Sequence, residues 1–328
     1  MSSALNEFEL IQTFFARQQI NRADVAAGIG DDAALLQPPP GQLLAVTSDL
    51  LVSGVHFFPD TDPAALGHKA LAVNLSDLAA MGAEPAWFLL NLTLPKVDAA
   101  WLEKFCRGMF GLAREYGAQL VGGDTSRGPL AIAIEAHGFV PAGLALRRSG
   151  AKVGDRIYVT GTLGDAALAL QQRRGRLSLP KNEIASVAER LDRPTPRVRE
   201  GLALRGVANS AIDVSDGLLA DLGHILEMSR VGARIFLDKL PVSPVCRAHL
   251  NDLGWDAVLA NGDDYELCFT VPAANIAALE KIPVADDFRH IGEIEVEAGL
   301  RILDESGKAY RPRETGHDHF AESKRGNT

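Results

Sequence analysis

Four short acidic turns constrain this chain most: GIGDD ending at Asp31 and Asp32, TSD ending at Asp49, GGD ending at Asp124, and DVSDG from Asp213 to Gly217. Each opens or closes an apolar segment, so a fold that buries those segments delivers carboxylates from strand ends and helix starts. The expectation is that they converge. Two like charges about 4 Å apart repel by roughly 4 kcal/mol at an effective dielectric near 20, so a convergent cluster requires cations. Hard oxygen ligands suit Mg²⁺ or Ca²⁺ better than zinc. The pattern therefore predicts a site holding several metal ions and a phosphate.

A chain of 328 residues has room for two domains of ordinary size. Between Pro141 and Gly154 large apolar side chains become scarce while Gly, Arg and Lys accumulate, which puts the expected boundary at 148/149. Residues 1–148 and 149–328 are each read as mixed α/β, with strands and helices interleaved in both. The net charge of −9 argues against nucleic-acid or anionic-membrane partners, which need a basic footprint. No uncharged apolar run reaches the roughly 20 residues of a membrane span. Glu7 and Glu9 stand where a signal peptide would be basic and then apolar. Cys106, Cys246 and Cys268 are far apart and form no CxxC, which suggests a reducing cytoplasm. The histidines lack zinc-ligand spacing. No GxxxxGK[ST] loop, strand-linked GxGxxG or kinase HRD and DFG set is present.

Local signals mark the elements. Asp62 and Pro63 cap a helix that runs to Met81 and stops at Gly82; Asp98 caps a second, with a Trp101, Phe105, Met109, Leu112 stripe ending before Gly117. Strands are expected at 43–47, 87–94 and 130–140, then at 156–160, 233–237, 265–271 and 300–303. Further helices are expected at 162–172, with Thr162 and Asp165 as a capping box, and at 215–228.

Each acidic motif has a structural reading beside its chemical one. Alone, GIGDD is read as a surface turn, and TSD as an ordinary strand end. Asp77 is harder to set aside, being the only formal charge between Ala70 and Met81 in a helix fit for burial. An unpaired buried carboxylate costs several kcal/mol, so it must meet a metal, a cation or a full set of hydrogen bonds. Asn74 lies one turn earlier on the same face. In QLVGGDTSRG the glycines allow backbone N–H groups near a phosphate, or simply make a turn. Asp213 and Asp216 are spaced as a capping box, which does not exclude metal binding. NGDDYE presents Asp263, Asp264 and Glu266 either to a cationic group of a substrate or in a hairpin turn.

Taken in order, GIGDDAALL, TSDLLVSGVHF, HKALAVNLSDLAAMGAEP, GGDTSRG, RSGAKVGD, DVSDGLLADLGHI and GDDYELCFT resemble the thiamine-monophosphate kinase family of the aminoimidazole ribonucleotide synthetase superfamily. The resemblance runs from the first helix to HDHF near the C-terminus. It implies a two-domain α+β fold and a homodimer paired through its N-terminal sheets. It also implies ATP-dependent phosphorylation of thiamine monophosphate to thiamine diphosphate; because the acceptor's own phosphate oxygen is already ionised at neutral pH and can attack directly, no general base and no phosphoenzyme are expected. By motif match, Asp31, Ser48, Asp49, Asp77, Asp124, Asp213 and Asp216, with Asp32 beside them, would bind Mg²⁺. Tyr116, Gly123, Asp124, Arg148 and Ser215 would contact ATP, and His56, Asp263 and His317 the thiamine phosphate. Asp263 replaces the family's usual Glu, and His317 its more frequent aromatic residue. Sister activities would need a reactive Cys near the N-terminus or a C-terminal Cys, and this chain has neither. A non-catalytic Ca²⁺ module would concentrate its acids in DxDxDG loops, which are absent.

Overall fold

The computed structural model describes residues 6–313 and 316. A small antiparallel pair, β1 (Val25–Ala27) and β2 (Leu35–Leu36), precedes β3 (Gln42–Val52), β4 (Glu84–Leu94), β5 (Gln119–Arg127) and β6 (Ala131–Pro141). The last four form one sheet in the order β3-β6-β4-β5. Only β4 and β5 run parallel, joined by the helix Ala99–Tyr116, because a parallel pair needs a crossover.

The helix Pro63–Ala80 begins where expected: Asp62 accepts from the Ala64 and Ala65 N–H groups at 3.0 Å each, and Pro63 fills the first turn. It packs against Ala99–Tyr116 so closely that a Cβ on Gly67 would stand 2.0 Å from the Phe105 carbonyl oxygen, and one on Gly108 1.8 Å from that of Ala64. Nearly every residue of this helix is buried. Its Leu71, Leu75 and Leu78 share one core with Phe88, Leu90 and Ile134 of the first sheet and Phe269, Val271 and Phe288 of the second. The two halves are thus joined by a common apolar layer, each large side chain adding about 1.5–3 kcal/mol.

The second sheet contains β7 (Arg156–Thr160), β8 (Ser210–Asp213), β9 (Gly232–Phe236), β10 (Leu267–Val271), β11 (Phe288–Glu295), β12 (Gly299–Leu303) and β13 (Ala309–Tyr310). Their order is β13-β12-β9-β11-β7-β10-β8, antiparallel except for β12 beside β9. Alternation sorts its faces. Tyr158 and Phe269 stack toward the shared core, whereas Ile157, Val159 and Cys268 join the helices Asp165–Arg173, Lys181–Asp192 and Leu218–Ser229 in a second core.

Several expectations need correction. The 162–172 helix begins at Asp165, because Thr162 bonds Asp165 side chain to side chain while the Gly164 N–H is taken by Asp264 at 3.0 Å. The 215–228 helix begins at Leu218 and its N-cap, Gly217, has no side-chain cap; Asp221 reaches back and accepts from the N–H groups of Ser215, Asp216 and Gly217 at 3.0–3.1 Å. No Asp213–Asp216 capping box forms. The strand expected from 265 starts at Leu267, since Tyr265 sits at φ 50°, outside extended backbone. The glycines of GGD do not make a turn. β5 continues through them, and Gly123 is required because its Cβ would lie 1.9 Å from the Leu90 carbonyl oxygen on β4.

Candidate active site

A cleft of about 670 Å³ opens between the two halves. β3 supplies Ser48 and Asp49; the turn after it supplies His56, whose Nδ1 accepts from the Val52 N–H at 3.0 Å. Lys69 and Val73 project from the Pro63–Ala80 helix, and Ser215, Asp216, Asp263 and Tyr265 close the opposite wall. Backbone bonds hold that wall together: Asp263 N–H donates to the Ser215 carbonyl at 2.9 Å, and Tyr265 N–H to that of Val214 at 2.9 Å.

Behind Asp49 lie Asp77 and Asp213. Burial, then the negative field of Asp77, pushes the Asp49 carboxyl up to about 7. Burial also raises Asp77, opposed by the Thr47 hydroxyl that donates to it and by the field of Arg148. Fully buried Asp213 is raised well above the ordinary carboxylate range, first by desolvation and then by Asp77, although Ser76 Oγ donates to it at 2.8 Å. Asn74 ties helix to strand by accepting from the Asp49 N–H at 3.2 Å. None of the three carboxylates has an ion-pair partner among the described residues.

This donor set suits Mg²⁺ in a particular way. Among the described residues, no three His, Cys, Asp or Glu side chains are arranged to hold an ion by themselves. Mg²⁺ is ordinarily held by one or two carboxylates together with substrate phosphates and water, not by an all-protein cage. Repelling carboxylates beside a cleft are consistent with that mode.

The other sequence-predicted acids do not join the cluster within one chain. Asp49 pairs in register with Ile134, that residue with Leu90, and Leu90 with Gly123, so Asp49 and Gly123 end one row roughly 14 Å long across the sheet. Asp124 belongs to the next row, with Leu50, Ala133 and Asn91, and therefore to the opposite face. It is exposed and accepts from Ser126 Oγ at 3.0 Å. Asp31 and Asp32 are exposed between β1 and β2, where Gly28 lies over Val121 of β5. Convergence of all the acids, expected from sequence, is thus replaced by two groups on opposite faces of one sheet. Tyr116 ends the Ala99–Tyr116 helix and donates to the Pro196 carbonyl at 3.1 Å, its hydroxyl pushed up to about 12 by burial. Arg148 is exposed on the connection between the sheets, and His317 lies outside the described residues.

NGDDYE separates into three roles. Glu266 is fully buried and held by Arg190 at 2.5 Å, by Arg197 at 2.6 and 2.7 Å and by Thr160 at 2.5 Å. Asp264 is buried against Gly164. Of the three acids, Asp263 is the one that lines the cleft. Sequence reasoning missed Lys69, whose side chain is 4% exposed and whose Nζ donates to Asp263 Oδ1 at 2.9 Å. The signal was available: Lys69 precedes Asp77 by eight residues, on the same helix face, with no other formal charge between them.

Family models of AIR synthase related proteins match this chain, the N-terminal domain over residues 30–140 and the C-terminal domain over 152–305. The thiamine-monophosphate kinase of Salmonella typhimurium is 50% identical over 325 residues, covering 97% of this chain and 99% of that one. The crystal structure of thiamine-monophosphate kinase from Stenotrophomonas maltophilia superposes with a TM-score of 0.82 at 49% identity, covering 88% of this chain and 93% of the other. AaThiL complexed with AMPPCP and TMP superposes with a TM-score of 0.76 at 30% identity, covering 96% and 97%.

Proposed function

The chain belongs to the thiamine-monophosphate kinase family of AIR synthase related proteins, and we propose that it phosphorylates thiamine monophosphate with ATP, giving thiamine diphosphate and ADP. The observation that carries this reading is the juxtaposition of Ser48, Asp49, Ser215, Asp216 and Asp263 on one cleft, backed by two buried carboxylates that repel Asp49. Phosphoryl transfer asks mainly for alignment and charge neutralisation. Mg²⁺, when bound, neutralises the phosphates. Asp49, Asp77, Asp213 and Asp216 are the residues we assign to it on the cleft side, with Ser48 at the cleft rim, on the outer parity of β3 between Val46 and Leu50, and Asp31, Asp32 and Asp124 from the other face.

The chain's own groups align the reactants. Asn74 and Ser76 hold Asp49 and Asp213 in place from the buried helix. Ser215 and Arg148, with Tyr116, Gly123 and Asp124, are assigned to ATP; His56, Asp263 and His317 are assigned to the acceptor. An oxygen of the acceptor phosphate attacks the γ-phosphorus in line, the bond to the bridging oxygen breaks, and ADP leaves. That oxygen is ionised at neutral pH, so no base and no phosphoenzyme are needed.

The active unit in this reading is a homodimer in the cytoplasm. Val46 and Leu50, each 55% exposed, and Leu44, 43% exposed, alternate along edge strand β3 on the outer sheet face. Such a stripe favours a partner surface. Pairing two copies through this face would cover it and bring Asp31, Asp32 and Asp124 to the dimer seam. The domains of the resemblance, 1–148 and 149–328, then divide the labour: the first pairs and holds metal and nucleotide, the second completes the acceptor pocket.

The test is direct. Protein incubated with Mg²⁺, ATP and thiamine monophosphate is expected to form thiamine diphosphate, and Asp49→Asn and Asp124→Asn to impair it. A silent wild type defeats the activity, fully active variants defeat the site, and a labelled covalent enzyme trapped from ATP alone defeats the direct transfer.

A further inference from the structure

Lys69 is almost wholly buried, yet it lines the cleft. An ammonium group has three donors, and here Asp263 Oδ1 is the one described acceptor. Leaving buried donors unsatisfied is costly, which points to an acceptor that arrives through the cleft. Asp263 is arranged in a complementary way. Lys69 Nζ at 2.9 Å and Tyr265 Oη at 3.2 Å both fall on Oδ1, and no described residue bonds Oδ2. The loop that carries it is strained, with Asp263 at φ 67° and Tyr265 at φ 50°. A strained loop held by an ion pair between helix and opposite wall presents a fixed plus and a fixed minus to the same space.

We propose that the Lys69–Asp263 pair is a receptor for a zwitterion: Lys69 donates to the phosphate of the acceptor while Asp263 faces its cationic thiazolium ring, so that Lys69 makes the site prefer thiamine monophosphate over free thiamine. The inference rests on the assignment of Asp263 to the acceptor pocket. Asp49, Asp192, Asp216 and Asp263 all line this cleft, and an entering phosphate needs a cation from the protein as well as from metal. Lys69 is the buried one.

Electrostatics gives the test a definite sign. Affinities for thiamine monophosphate and free thiamine are measured on the full chain by calorimetry, with Mg²⁺ and AMPPCP present. Lys69→Met is expected to lower the preference for the phosphorylated ligand about 10- to 100-fold, while free thiamine binds as well as before or better. Lys69→Arg, which keeps the cation, is expected to retain the preference to within about threefold of wild type, and covers the case in which the methionine variant does not fold. Asp263→Asn is expected to weaken both ligands alike. An unchanged preference in Lys69→Met, or equal loss of both ligands in Lys69→Met and Lys69→Arg, overturns the inference. Normal binding of both ligands by Asp263→Asn overturns instead the pocket assignment beneath it.

Discussion

Two groups of buried carboxylates in this molecule are treated in opposite ways. Glu266 is enclosed completely and receives two arginines and a threonine hydroxyl. Asp49, Asp77 and Asp213 sit side by side with hydroxyls and an amide for company, no ion-pair partner among the described residues, and raised proton affinities. The difference separates structure from function. A fold that closes Glu266 with arginines had the means to close the other three, and leaving them to repel one another makes sense where a cation and a phosphate arrive from outside.

The largest expected effect is on the open group. Asp49→Asn should lower kcat about 10³-fold or more, comparable with loss of an essential electrostatic stabiliser, without lowering the stability of the metal-free protein, since it removes a repelling charge. Steady-state kinetics and urea unfolding measure the two halves; a variant that loses stability and keeps activity would make this cluster structural, like Glu266. The closed group should show the mirror image. Arg197→Met leaves Glu266 with Arg190 and the Thr160 hydroxyl and should cost about 3 kcal/mol in chemical denaturation, with its activity falling only in step with the folded fraction.

A smaller effect tests pairing on the outer sheet face. Arg22 binds Asp24 at 2.7–3.3 Å and Trp87 donates to it at 2.9 Å, and the Arg22 bond is the first cause that holds its carboxyl below the ordinary range. A depressed carboxyl contributes stability that is complete above its unfolded value and disappears as pH falls through the folded one. Asp24→Asn should therefore cost about 2 kcal/mol at pH 7 and progressively less below about pH 4, by thermal melts across pH. Smallest is the effect on association. Val46→Glu should weaken self-association about tenfold or more, near 1.4 kcal/mol, in sedimentation equilibrium; an unchanged dimer would move the interface elsewhere.

How much of the site was legible from sequence follows the same division. Asp49, Asp77 and Asp213 could be singled out because each ends or interrupts an apolar segment with an oxygen donor, and Ser48, Ser215 and Asp263 because they stand beside such acids or in an acidic turn that the resemblance matches. Glu266 and Asp264 look the same in sequence as Asp263, one or three residues away, and only their partners distinguish them. The DVSDG segment had capping-box spacing, but Asp221, a turn inside the helix, won the loop N–H groups because one carboxylate oxygen reaches three successive donors there.

The sequence by itself determined what depends on neighbours a few residues away: the caps at Asp62 and Asp98, the buried stripe of the second helix, the glycine stop at 117 and the stock of hard oxygen donors. Tertiary structure alone decided which acids meet. Ser76 finds Asp213 across 137 residues and Lys69 finds Asp263 across 194, and the position of Asp49 and Asp124 on opposite faces follows from strand order and register. The physical reason is range. A cap or a stripe is set by backbone periodicity within one or two turns, whereas the charge state of a buried carboxylate is set by burial and by whichever distant segments the packed core brings against it.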